Sequence, residues 1–144
     1  MTRSGLASIA PTVAGRLVSM SPTARRDLVV EVCRLAVDRA DLTDPLIDVA
    51  LAAKGSSTPA ARREIQALTE RLDEQAWDIQ DQVDAGAAAA EDYDRAFRRA
   101  RAAAAVGFAA GESLESAYDA LYEAYYAIGE HETFLRAAST SKGA

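Results

Sequence analysis

The stretch from Glu112 to Ile128 constrains the fold more than any other part of the chain. Its apolar residues recur at spacings of three and four, which place them on one side of an α-helix; they are Leu114, Ala117, Tyr118, Leu121, Ala124, Tyr125 and Ile128. Ser113 can cap the first turn through its hydroxyl, and Gly129 can end the helix. The pattern therefore predicts an amphipathic helix with one buried side.

Three further helix starts share one device, a capping residue followed by proline: Ser21-Pro22, Asp44-Pro45 and Thr58-Pro59. Proline suits the first helical position because an N–H at that position would have no partner within the helix. We expect the three helices to reach about Ala40, Gly55 and Asp84. A further helix is expected from about Ala88 to Ala110, with a buried stripe of Tyr93, Phe97, Ala100, Ala104 and Phe108.

The first 26 residues contain four arginines and no acidic residue, a composition that is also found in organellar targeting segments. Their apolar residues nevertheless keep helical spacing, which favours the first helix of a bundle, with Pro11 as a kink or a second start. Gly55-Ser56-Ser57 is the most loop-like stretch within the chain. We predict an all-α, single-domain antiparallel bundle of five or six helices over residues 1–138, followed by a disordered tail over 139–144.

Charge and composition limit the classes of partner. The chain of 144 residues has 16 basic and 22 acidic side chains, a net charge of −6, and a sequence pI near 4.8. An acidic protein lacks the positive surface that nucleic acid and anionic membranes require, so we expect neither as a partner. No apolar stretch reaches the length of a membrane span, and we expect a cytoplasmic protein. Cys33 lies in an apolar run and is predicted to be a buried, inert thiol.

The search for a catalytic or metal site gives nothing specific. His131, the only histidine, stands between Glu130 and Glu132, and adjacent side chains on a helix point about 100° apart. The three side chains therefore cannot converge on one ion. Ile128 occupies the position where a helical di-iron site would need a glutamate. Glycine-rich phosphate loops, nucleophile elbows and CxxC pairs are absent from the sequence. We predict no enzyme, no cofactor and no metal ligand.

A second set of residues lies beside the apolar stripe of the 112–128 helix. Tyr122 and Tyr126 are one turn apart, and Glu115, Asp119 and Glu123 repeat at the same rhythm. The set is either a solvated acidic face or a recognition surface for a basic partner. Trp77 has acidic helical neighbours and is either covered by another helix or exposed as an extension of that surface. A cluster of arginines is interpreted as a solvated face; its members are Arg95, Arg98, Arg99 and Arg101.

These observations support two functional hypotheses. The first is a non-enzymatic protein-binding module that uses the acidic and aromatic face against a basic protein, as a bacterial immunity or antitoxin-type inhibitor would. The second is a helical small-molecule-binding or regulatory domain with a pocket between its helices, lined by Tyr93, Tyr118 and Tyr125. A convex aromatic surface would favour the first hypothesis, and an enclosed pocket the second. The sequence leaves the partner's identity and a homodimer open.

Overall fold

The computed structural model describes residues 2–53 and 58–139, with side chains described from residue 5 onward. The protein is all-helical, with 85% of the described residues in helices and no strand among them. This confirms the predicted fold class, but the described chain has eight helices instead of five or six. They are α1 (Thr2–Ile9), α2 (Pro11–Ser19), α3 (Pro22–Arg39), α4 (Pro45–Ala53), α5 (Pro59–Asp84), α6 (Ala90–Ala109), α7 (Leu114–Ile128) and α8 (His131–Ser139).

The higher helix count comes from breaks at both ends of the chain. Pro11 is the first residue of α2, and the preceding Ala10 has a non-helical φ of −150°. Gly129 ends α7 with a φ of 79°, a left-handed conformation that glycine adopts readily, and α8 starts two residues later. Ser139, expected to begin the tail, is the last residue of α8. The rest of the tail and the Gly55 loop lie outside the described residues.

The predicted helix starts are confirmed by their capping hydrogen bonds. Side-chain oxygens of Ser21, Asp44, Thr58 and Ser113 each accept a hydrogen bond from a first-turn backbone N–H, at 2.9 to 3.1 Å. These bonds satisfy N–H groups that the helix itself leaves unpaired. Local hydrogen bonding therefore explains why these residues begin helices.

Helices α5, α6 and α7 form an antiparallel layer with α6 in the middle. Asp73 of α5 binds Arg101 of α6, and further along the same pair Ile65 contacts Gly107, so the two helices run in opposite directions. Helix α3 packs against both α6 and α7. Cys33 of α3 is fully buried as predicted, and burial raises the pKa of its thiol to about 12. Within the described part, no helix has the length and apolar character needed to cross a membrane.

The predicted buried stripe of α6 is wrong for four of its five residues. Ala100 is fully buried, but Phe108 is 39% exposed, and Tyr93, Phe97 and Ala104 are partly exposed. The other buried residues lie on the remaining, alanine-rich sides of the helix: Ala96, Ala102, Ala103, Ala105, Val106 and Ala110. A helix between two others must let their backbones approach closely, and alanine allows this better than an aromatic ring.

Arginine side chains bind the C-terminal carbonyls of neighbouring helices. Arg98 donates from Nε and Nη2 to the oxygens of Ala127 and Ile128 at 2.9 and 2.7 Å, where α7 ends. Arg34 donates to a carbonyl in α4, and Arg16 to one in α8. Carbonyls in the last turn have no partner within their own helix, and a cation is favourable at that end. Three guanidinium groups thus fasten the ends of three helices.

Candidate functional site

The three carboxylates of the predicted face on α7, those of Glu115, Asp119 and Glu123, differ in exposure. Glu115 is exposed, and Asp119 is partly buried. Oxygen Oδ1 of Asp119 is buried and has no hydrogen-bond partner among the described residues. Burial, followed by the nearby charge of Glu115, raises the pKa of Asp119. The side chain of Glu123 is only 14% exposed. Of the three carboxylates, only Glu115 at the N-terminal end of α7 is therefore fully open to solvent.

Glu123 belongs to an ion cluster that joins three helices. Arg101 of α6 binds Glu123 of α7 on one side and Asp73 of α5 on the other, the latter at 2.7 Å. Burial raises the pKa of Glu123, and Arg101 offsets only part of this effect. Burial would lower the pKa of Arg101, but the two carboxylates outweigh it, so the pKa is raised. Glu123 is thus engaged within the protein. We call Asp73, Arg101 and Glu123 the Arg101 ion cluster.

The two tyrosines of the predicted face have different surroundings. Tyr122 lies against Gly5 of α1, where a Cβ atom would come within 2.7 Å of its ring. Tyr126 is 38% exposed, and its ring meets that of Tyr122 edge-on with centroids 5.3 Å apart. Interaction with Tyr126 is the main reason why the pKa of Tyr122 is raised. Glycine at position 5 thus makes room for Tyr122, and Tyr126 is the more accessible of the two.

Helix α6 contributes aromatic residues that the sequence analysis placed in the core. Tyr93 stacks on Phe97 with ring centroids 6.0 Å apart, and the Arg101 guanidinium lies 5.7 Å from the centre of the Phe97 ring. Phe97 and Tyr126 line one recess between α6 and α7. We call Tyr93, Phe97, Tyr126 and Tyr122 the aromatic row. On α6, a run of alanines lies on the side away from Tyr93 and Phe97. This run could have indicated from the sequence that the two rings face outward.

The recess between α6 and α7 has a volume of about 320 Å³ and is lined by Asp94, Phe97, Arg98, Tyr125, Tyr126, Gly129 and His131. The His131 Nδ1 atom is 3.0 Å from the Tyr125 hydroxyl. No group of three or more His, Cys, Asp or Glu residues in the described part could hold a metal ion.

The pocket proposed from Tyr93, Tyr118 and Tyr125 does not bring these residues together. Tyr118 is 2% exposed in the core, Tyr125 lines the recess, and Tyr93 lies on the outer face against Phe97.

The α5–α6 hairpin is strongly acidic at its tip. From Leu72 through Asp94 the chain has eight acidic residues and no lysine or arginine. Six of the eight are exposed: Glu74, Asp78, Asp81, Asp84, Glu91 and Asp94. The predicted solvated arginine face is wrong for Arg98 and Arg101, whose side chains are 24% and 20% exposed and bind protein atoms. The edge of the aromatic row next to the tip is therefore negative.

Trp77 lies on α5 at the same hairpin and is 66% exposed, so no other helix in the described part covers it. Asp73 faces Arg101 in the antiparallel pair. One turn further along each helix, Trp77 is therefore level with Phe97. The structure places Trp77 near the level of the aromatic row but on a different helix from the other predicted residues.

The sequence matches no known family of proteins, and comparisons with characterised proteins and with solved structures find no similar chain.

Proposed function

We propose that the protein is a non-enzymatic, cytoplasmic protein-binding module whose aromatic row receives a basic protein partner. One observation carries this proposal: the row is partly exposed and bordered by exposed acids, while the two arginines beside it, Arg98 and Arg101, are bound to groups of the protein itself. Arg98 is held by carbonyls of α7, and Arg101 by the carboxylates of its ion cluster. Asp94 and Glu115 remain exposed at the two sides of the row.

The acids and the rings are suited to different stages of binding. Exposed carboxylates attract a cationic protein over a distance of about 8–10 Å at physiological salt, which speeds the encounter. Aromatic rings that lose water on contact contribute most to slow dissociation. The exposed acids of the hairpin tip would add to the attraction without touching the partner. The negative surface and the row together fit a basic protein better than a neutral one.

The row stands on a rigid support. The Arg101 ion cluster ties α5, α6 and α7 together, and Arg98 fastens the end of α7 beside Tyr126. A surface that is already ordered loses less entropy on binding, which favours affinity. An immunity or antitoxin-type inhibitor of a basic bacterial toxin would need these properties, and this class remains our proposal by physical analogy.

The test uses variants that leave the ion cluster intact. We expect Tyr126→Ala to speed dissociation of the partner, at a cost of about 2 kcal/mol or more if the ring is a hot spot. Glu115→Lys, at an exposed acid beside the row, should mainly slow association and reduce its dependence on salt. Matched controls lie on α4: Val49→Ala, at a residue that is 67% exposed, and Asp48→Lys, at an exposed acid.

The partner would be isolated by cross-linking and mass spectrometry from the native organism, and its binding kinetics measured across a salt series. The proposal fails if the row variants bind like the wild type. It also fails if the α4 controls lose binding to the same extent, because the effect would then not belong to the row.

The recess supports the second candidate, a small-molecule-binding domain. Its volume of about 320 Å³ is close to the lower end of the range for ligand sites, about 300–1,000 Å³. A fragment screen followed by NMR would test this function. Shift changes should centre on Tyr125 and His131 and disappear in His131→Ala. Hits that bind elsewhere would contradict a site in the recess.

A further inference from the structure

A groove on the outer side of α5 and α6 has no occupant in the described chain. Its volume is about 520 Å³, and small residues of α6, Ala104 and Gly107, leave the space beside the ring of Phe108. The α5 side of the groove is formed by Arg62, Gln66 and Thr69.

Helix α5 buries few of its residues. Only three of its 26 residues are buried, Ile65, Leu68 and Ala76. It packs mainly against α6, with a smaller contact to α4. Most of the longest helix in the described chain therefore forms protein surface.

Trp77 projects from the same side of α5 as the groove. Trp77 and Gln66 are eleven residues apart, which corresponds to nearly the same direction around the helix, within about 20°. Along the axis, Trp77 lies eight residues beyond Thr69, or about 12 Å. The indole is therefore on the face that contains the groove. It lies too far along the helix axis to fill the groove of its own chain.

Trp77 and Thr69, one of the α5 residues that line the groove, lie at equal distances from Asp73, on opposite sides of it. Thr69 precedes Asp73 by four residues and Trp77 follows it by four. Arg62 precedes it by eleven residues and Asp84 follows it by eleven. A second α5 lying antiparallel across this point would bring each Trp77 to the groove of the other copy and each Arg62 to the other Asp84.

We propose that two copies of the chain pair through α5 about a two-fold axis close to Asp73. Such an interface uses the same surface on both copies, so it must be complementary to itself. Here one register brings Trp77 to the groove and Arg62 to Asp84. Arg62 and Asp84 are exposed, and neither forms an ion pair within the described chain. The two Asp73 carboxylates near the axis are each bound by their own Arg101, so the axis does not bring two unpaired charges together.

This pairing goes beyond the proposed function and is centred on α5, which contributes no residue to the aromatic row. The dimer covers the outer side of α5 and its groove with Ala104, Gly107 and Phe108 of α6, whereas Tyr122 and Tyr126 of the aromatic row lie on α7. Tyr126→Ala should therefore leave dimerisation unchanged, which separates the two proposals experimentally.

The first experiment measures association of the intact chain by sedimentation equilibrium over a concentration series. We expect a dimer whose dissociation constant rises about tenfold or more in Trp77→Ala, because this variant empties both grooves. Val49→Ala, at a similarly exposed residue on α4, should leave the constant unchanged. Trp77 is the only tryptophan, so its emission should shift to the blue as the dimer forms.

The second experiment tests the register through charge exchange. Arg62→Glu and Asp84→Arg should each raise the dissociation constant about tenfold, because each variant places like charges opposite each other. The double variant should return to within about threefold of the wild type, since the pair is restored in reversed order. Asp48→Arg on α4 serves as a charge control.

Four outcomes would overturn the pairing. The first is a wild-type chain that stays monomeric up to millimolar concentration. The second is a dimer that Trp77→Ala leaves intact, because its interface would lie elsewhere. The third is weaker dimerisation in both single charge variants that the double variant does not restore. A blue shift of Trp77 emission that requires an added basic protein would also contradict it.

Discussion

The end of α7 offers a sharp test of how an arginine cap contributes to stability. Gly129 has a φ of 79°, and a Cβ added there would come within 3.1 Å of the Arg98 guanidinium carbon. Gly129→Ala therefore has two separate costs. One is the left-handed backbone conformation of a residue with a side chain. The other is displacement of Arg98 from the carbonyls of Ala127 and Ile128.

Each cost has a known scale. A non-glycine residue in the left-handed region loses about 1–2 kcal/mol. Losing one hydrogen bond from an ionised donor costs about 1.5–3 kcal/mol, and we expect the displacement of Arg98 to break one of the two bonds. We therefore expect Gly129→Ala to lower the free energy of unfolding by about 2.5–5 kcal/mol in urea denaturation.

Gly86 provides a matched control. It also has a φ of 79°, but a Cβ there would meet no atom within 4 Å. Gly86→Ala should cost only the backbone term, about 1–2 kcal/mol. When Arg98 is first replaced by alanine, Gly129→Ala should cost no more than Gly86→Ala. Equal losses for the two glycine variants in the wild-type background would refute the role assigned to Arg98.

Four further outcomes follow from burial and charge. Leu121→Ala, at a fully buried position, should cost about 2–5 kcal/mol in urea denaturation, and a loss under about 1 kcal/mol would contradict a core role. Cys33 should react with Ellman's reagent only as the protein unfolds, because its thiol is buried and its pKa is about 12. The raised pKa of Asp119 means that its ionisation opposes folding, so the contribution of this carboxyl to stability falls as the pH rises through the carboxyl range; Asp119→Asn should raise the melting temperature at pH 7 more than at pH 3. His131→Ala should leave the melting temperature nearly unchanged, since its hydrogen bond to Tyr125 is exposed, and a fall comparable to that of Leu121→Ala would contradict this.

Features that depend on a few neighbouring residues could be predicted from the sequence. The capping oxygens of Ser21 and Thr58 bind N–H groups three residues later, so the local order of residues determines where these helices begin. The buried side of α7 was predictable because this helix has one clear apolar stripe. Tyr118, Leu121 and Ile128 of that stripe are all buried in the core.

The candidate site depended on contacts that are distant in sequence. Arg101 meets Asp73 and Glu123, which lie 28 and 22 residues away, so the burial of Glu123 was not evident from its own helix. Helix α6 is apolar on two sides, and periodicity alone cannot tell which side faces its neighbours. Phe97 was therefore assigned to the core, and the aromatic row was only half recognised, through Tyr122 and Tyr126.

The hydrogen bond from Arg16 to the carbonyl of Ala138 has a consequence for biosynthesis. It joins residues 122 positions apart, whereas α5 and α6 meet across a short turn. Contacts between distant residues close large loops and form slowly, while local hairpins form quickly. On the ribosome the α5–α6 hairpin can assemble as soon as it emerges, but α2 must wait until α8 has been synthesised. One of the first helices to be translated is thus among the last to reach its final contacts.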